Sequence, residues 1–112
     1  MPPSPNALPL TEPTLLILLS LSPGPKHGYA IMKEVETLSD GRVRLSTGTL
    51  YGALKRLLDE GWIVRVDDPE PNGTDRQRKA YILTDQGRFL LKAEVDRLHK
   101  LVSVARLRVV ET

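Results

Sequence analysis

Cysteine is absent from this 112-residue chain, which excludes disulfides and thiolate-held metals and points away from an oxidising compartment. A secretory leader is not expected, because the opening MPPSPNALPL has neither a basic start nor an apolar core. The longest apolar run, LLILL at Leu15–Leu19, falls far short of the ~20 residues that span a bilayer. No membrane segment is therefore expected, and the expected location is cytoplasmic. Catalytic signatures are also missing: there is no nucleophile elbow, P-loop or dinucleotide fingerprint, so an enzyme is not expected. The two histidines, His27 and His99, lie far apart without clustered carboxylates, so neither a metal nor a cofactor is expected. Excess charge of one sign is slight, with 16 Lys/Arg against 14 Asp/Glu. It falls in residues 84–112, which carry six cations against four anions. Binding chemistry has to be read from local arrangement rather than from bulk charge.

What is present suits one small domain with a modest core, one that would gain from sharing apolar surface with a second copy. The first nine residues contain four prolines and are expected to form a disordered arm, residues 1–9. Thr11 caps a first helix, Pro13 is tolerated in its first turn, and the run to Leu21 is apolar nearly all round. PGPKHG breaks it. A second helix runs from about Gly28 to Leu38, with Ile31, Val35 and Leu38 as its inward stripe. Val43 and Leu45 suggest a very short strand.

Ser46 caps a third helix, STGTLYGALKRL, that ends before Gly61. Ala53, Leu54, Leu57 and Leu58 cluster on one side of it, and Gly48, Gly52, Lys55 and Asp59 on the opposite side. Each glycine costs a helix roughly 1 kcal/mol relative to alanine. Two readings stand: the second helix packs closely there, or something outside the protein approaches the backbone. Trp62–Asp67 and Arg78–Leu83 then read as two strands of a hairpin around the turn-rich DPEPNGTDRQ. Thr84 caps a last helix of about 25 residues, roughly 38 Å long. Leu91, Val95, Leu98, Val102, Ala105 and Val109 follow a heptad seam along it.

Helix, helix, helix, hairpin and long helix is the order of a winged helix-turn-helix, mainly α with a small β-hairpin (α+β). In that fold the third helix presents its N-terminal end to a DNA major groove. Ser46, Thr47 and Thr49 offer hydroxyls there. Tyr51 offers a phenol, and Lys55 and Arg56 supply charge, with Arg56 suited to guanine. Arg76, Arg78 and Lys79 form a basic cluster in the hairpin, opposed by Asp67, Asp68, Glu70 and Asp75. His27, next to Lys26, is placed to reach a phosphate or to cap the second helix.

HGYAIMKEV (His27–Val35), GRVRLSTGTLYGALKRL (Gly41–Leu57), EGWI (Glu60–Ile63) and YILTDQG (Tyr81–Gly87) closely resemble the PadR-like transcriptional regulators. The likeness runs from about Leu10 to Val109. It implies a winged helix-turn-helix DNA-binding domain (residues 10–83) followed by a C-terminal dimerisation helix (84–112). It implies a homodimer on near-palindromic double-stranded DNA, usually repressing, and in some members released by a phenolic or flat small-molecule effector. Carried across, the matching positions are His27, Gly28 and Tyr29 at the second helix and Ser46, Gly48, Thr49, Tyr51 and Leu54 in the reader. Thr47 stands where the family commonly has proline, and the last helix has only Phe89 as an aromatic, near its start. Leu15 and Leu18 of the first helix are expected to join the seam residues in the dimer contact, the seam is also expected to fold back on the first helix within one chain, and Trp62 is expected to anchor core or interface. The rival reading is a winged-helix protein-docking module. It requires exposed apolar residues on the reader's outer face.

Overall fold

The computed structural model describes residues 7–68 and 78–109. Glu70, Asp75 and Arg76 of the expected wing, and residues 1–6 of the expected arm, lie outside the described residues. The elements run α1 (Glu12–Leu21), β1 (Lys26–His27), α2 (Gly28–Leu38), α3 (Thr47–Asp59), β2 (Ile63–Asp68), β3 (Arg78–Leu83) and α4 (Asp85–Val109). This is the winged helix-turn-helix arrangement with a long C-terminal helix.

Local chemistry sets most boundaries. The Thr11 hydroxyl accepts the Thr14 N–H at 3.3 Å, and Ser46 accepts the Thr49 N–H at 3.1 Å, so α1 and α3 start at side-chain caps. α3 stops where Gly61 turns to φ +78°: Gly61 N–H reaches the Leu58 carbonyl and Trp62 N–H reaches that of Leu57. That pair of bonds is a Schellman closure, which a left-handed residue permits.

The antiparallel sheet has the order β1-β3-β2. β1 was not expected: it is two residues long and exists through pairing of Lys26 with Tyr81 and His27 with Ala80. The short strand expected at Val43–Leu45 does not form. The Val43 N–H instead donates to the buried Ser39 hydroxyl at 2.9 Å, and Val43 and Leu45 pack against the core.

Ile17, Leu18 and Leu21 of α1 meet Ile31 and Val35 of α2, Leu50, Leu54 and Leu57 of α3, and Leu90 of α4 in one core. Each large aliphatic side chain buried there contributes about 1.5–3 kcal/mol. Leu38 departs from its expected inward stripe and is 47% exposed at the end of α2. Ala7 and Leu8 pack against the core, so the last residues of the expected arm belong to the folded body.

Two contacts fix α4 to this body. At its start, the Thr84 N–H donates to the Trp62 carbonyl, the Thr84 hydroxyl donates to the Gly61 carbonyl at 2.6 Å, and the Gly87 N–H donates back to that hydroxyl. A Cβ on Gly87 would lie 2.0 Å from the Trp62 carbonyl oxygen, so only glycine fits. One turn beyond Leu91, the buried Glu94 carboxylate accepts the Leu10 N–H at 2.7 Å and the Arg97 guanidinium. The Arg97 hydrogen bond lowers the Glu94 pKa, joined by the Leu10 N–H and the Arg97 charge and opposed by burial.

Gly87→Ala is expected to destabilise the fold by about 1–3 kcal/mol, read from urea melts, because backbone must move. A carboxylate with a lowered folded pKa stabilises above its ordinary value of 4.5, and that contribution is lost as pH falls through the folded value. The urea midpoint of the wild type is therefore expected to exceed that of Glu94→Gln at neutral pH, and the gap to narrow below about pH 4.5.

Candidate nucleic-acid interface

The start of α3 is open to solvent. Ser46, Thr47, Gly48 and Thr49 are all exposed. Ser46 donates its hydroxyl proton to Thr49 Oγ1 at 2.9 Å, which leaves the Thr49 hydroxyl free to donate outward. A Cβ built on Gly48 or Gly52 would meet nothing within 4 Å. The first of the two readings of these glycines therefore fails, since α2 does not pack against them. Lys55 is exposed and pairs with Asp59 one turn on, at 3.4 Å. Arg56 is exposed and makes no ion pair among the described residues.

A second feature joins the N-terminus of α2 to α3 and the sheet. His27, Gly28, Tyr29, Tyr51, Lys79 and Tyr81 line a cleft of about 550 Å³, which thus gathers all three tyrosines of the chain. A Cβ on Gly28 would lie 2.5 Å from the Tyr51 hydroxyl. The H-G-Y stretch and the reader tyrosine are thus one fitted unit: Gly28 is bare because Tyr51 reaches over it. Tyr51 is 48% exposed and Tyr29 69% exposed, with the Lys33 ammonium 5.7 Å from the Tyr29 ring centre. Tyr81 is buried, and that burial raises its pKa, with Tyr51 adding to the rise and Arg65 opposing it. The phenol stays protonated and able to donate. His27 Nδ1 lies 3.4 Å from the Lys79 carbonyl oxygen, so the ring is tied to β3.

A profile of the transcriptional regulator PadR-like family matches residues 17–93. The chain belongs to that family. Its fold is similar to a PadR family transcription regulator from Clostridium difficile, at 25% identity and TM-score 0.72, covering 88% of this chain and 99% of that one. It is also similar to Bacillus subtilis PadR in complex with operator DNA, at 29% identity and TM-score 0.64, covering 73% and 46% of the two chains. Among curated proteins, an uncharacterized 37.1 kDa protein in transposon TN4556 of Streptomyces fradiae is 38% identical over 87 residues. The chain spans 23% of that relative's length and the match takes in 78% of this chain.

In this PadR-like chain the expected DNA-contacting residues fall into two groups. Ser46, Thr47, Gly48, Thr49, Lys55 and Arg56 share the exposed side and start of α3, while His27, Tyr29, Tyr51 and Lys79 share the cleft. Lys26 is half-buried on β1, opposite Tyr81. Arg78 pairs through its backbone with Asp68 in the hairpin. Arg76 lies outside the described residues. Tyr81, Arg42 and Arg44 were not anticipated. Arg42 donates to Glu12 and Arg44 stands 3.7 Å from Glu36, placements that depend on contacts 30 and eight residues away in sequence.

The expected dimer residues need correction. Leu18 is fully buried and Leu91 is 7% exposed, both inside the protomer's own core, so neither offers surface to another chain. Leu15 and Leu98 are half-buried. From residue 101 onward every described residue of α4 is exposed, including Leu101, Val102, Val104, Leu107 and Val109. The exposed apolar surface is thus broader than the seam: it includes Phe89 near the helix start and Val95, and it is continuous from Leu101 onward. Among the described residues, no group of three His, Asp or Glu side chains could hold a metal and no helix is long and apolar enough to cross a membrane.

Gly28→Ala separates the cleft from the core. The Tyr51 hydroxyl is the far end of a flexible side chain and can swing away, so the change in stability is expected to stay within about 1 kcal/mol. Tyr51 would be displaced, and duplex affinity measured by fluorescence anisotropy is expected to fall.

Proposed function

We propose that the chain is a sequence-specific DNA-binding regulator that acts as a homodimer on a near-palindromic operator, as a repressor. The observation that carries this reading is the bare, solvent-open glycine side of α3, bordered by hydroxyls at the helix start and by Lys55 and Arg56. A duplex backbone can approach such a surface closely, and free N–H groups at a helix start suit a phosphate. The operator complex of the Bacillus subtilis relative supports the same use of the fold. A docking module would need exposed apolar side chains there, and Tyr51 is the one large exposed apolar residue of α3.

The mechanism is geometric. Exposed Val95 and Val102 with their apolar neighbours would pair with a second copy, which sets the distance between two reader helices. Two readers about 34 Å apart enter successive major grooves on one DNA face. A small-molecule effector would release DNA only by binding better to an arrangement with a different spacing. Phosphate contacts would supply much of the affinity, which should then fall steeply with salt.

Selection from a random duplex pool is expected to return inverted half-sites about one helical turn apart, bound far more weakly at high salt than at low. Salt-independent binding, or none, would remove this reading. Val102→Asp is expected to keep the folded domain, because the residue is exposed, yet to sediment as a monomer and lose specific binding. Retention of the dimer would mean that α4 pairs elsewhere.

A further inference from the structure

Beside the glycine side of α3 lies a groove of about 550 Å³ that the start of α1 closes on its other flank. Gly48 and Gly52 floor it, Thr11 and Pro13 wall it, and Thr49 and Arg56 stand along the α3 edge. Just outside, in the α2–α3 connection, Arg42 donates to the carboxylate of Glu12, the first residue of α1. Both partners are substantially exposed, at 68% and 46% of their side chains, and exposed ion pairs of this kind are weakly held.

We propose that this groove seats the sugar–phosphate backbone of one DNA strand, with Arg56 and Arg42 as its phosphate partners and Arg42 exchanging Glu12 for DNA. The inference rests on the DNA-binding reading above and extends it to α1 and to a residue pair outside the reader helix. Three observations select a nucleic-acid strand as the occupant. The α3 side is bare at Gly48 and Gly52, with Leu45 and Ala53 adding apolar surface that suits sugar, so a bulky chain of repeating units fits. Two guanidiniums and the Thr49 hydroxyl match phosphate oxygens, the former as charged forks, while the Thr11 hydroxyl is spent on Thr14. The groove is continuous with the exposed start of α3 through Gly48 and Thr49, so a strand following the major-groove edge passes into it. Glu12 has a defined part: in the free protein it stands in for a phosphate and holds Arg42 beside the groove, and bound DNA takes its place.

The test uses the full chain and a selected duplex of roughly 30 base pairs, about three helical turns, in anisotropy titrations over a salt series. Arg42→Ala is expected to lower the slope of log affinity against log salt by about 0.9, the loss of one phosphate contact. Glu12→Gln is expected to tighten binding several-fold, and that gain to be largely lost when Arg42→Ala is added. Gly52→Leu is expected to keep or raise the melting temperature, because leucine is the better helix former, while weakening binding at least tenfold (about 1.4 kcal/mol). Arg108→Ala, at the far end of α4, serves as the control for generic charge loss and is expected to leave the slope unchanged. A wild type that binds steeply with salt while Arg42→Ala keeps its slope and Glu12→Gln leaves binding unchanged overturns this inference alone and leaves the reader assignment standing; full affinity in Gly52→Leu counts against both. A wild type with no salt-dependent binding overturns both.

Discussion

The contact between the Gly87 backbone and the Trp62 carbonyl is the joint on which the rest of the arrangement turns. The C-terminus of α3 closes at Gly61 and Trp62. The carbonyls of those two residues receive the Thr84 hydroxyl and N–H, and the Gly87 backbone lies directly against Trp62. The end of one helix and the start of another are therefore held through backbone groups and the short Thr84 hydroxyl that bridges them. Glu94 adds a second tie, from α4 to the Leu10 backbone just ahead of α1. A long helix fixed at two places on a small body moves as part of that body. In the proposed dimer, a change in the crossing of two such helices would reach the readers with little slack, and that is what a spacing-based regulator requires.

Three glycines serve three unlike purposes, which composition alone does not separate. Gly87 makes room for backbone, Gly28 for the Tyr51 hydroxyl, and Gly52 leaves space that no part of the described chain fills. The first two are demands of internal packing. The third weakens a helix by roughly 1 kcal/mol relative to alanine and returns nothing to the protomer itself. A local weakness without internal compensation is expected where a surface serves another molecule.

What could be read from the chain follows the range of the interactions involved. The caps at Thr11 and Ser46, the stop at Gly61 and the spans of α2 and α3 depend on residues a few positions apart, so local pattern reveals them. β1 depends on Tyr81 and Ala80, more than 50 residues away, and a Lys-His pair carries no strand signal of its own. The Val43–Leu45 strand failed for the converse reason: β-branched character is present but no partner strand is, and Ser39 satisfies the Val43 N–H instead. Heptad spacing marks an apolar stripe without saying what covers it. Thus Leu91, on the seam, belongs to the protomer's core, whereas Leu101, Val104 and Leu107, off the strict seam, are exposed. Of the candidate interface, the α3 residues were legible as a motif. The meeting of Tyr29, Tyr51 and Tyr81 in one cleft was not, because three separate elements supply them.

Charge placement accounts for how a chain of net +2 could still bind a polyanion. Around the reader, Arg42, Arg44 and Lys55 each face a carboxylate: Glu12, Glu36 and Asp59. These pairs cancel in the sum, so bulk charge conceals them. Exposed pairs contribute about 0.2–1 kcal/mol each, which is small beside a charge-assisted bond to phosphate in a partly dehydrated contact. The cations are thus committed loosely, and a duplex that arrives can recruit them one by one. The same carboxylates oppose a strand that lies out of register, because a phosphate near an unrelieved Glu12 or Asp59 is repelled. In the proposed complex, near-neutrality would work toward selectivity: it would weaken indiscriminate adhesion to nucleic acid and leave strong attraction only where arginine, hydroxyl and bare backbone coincide.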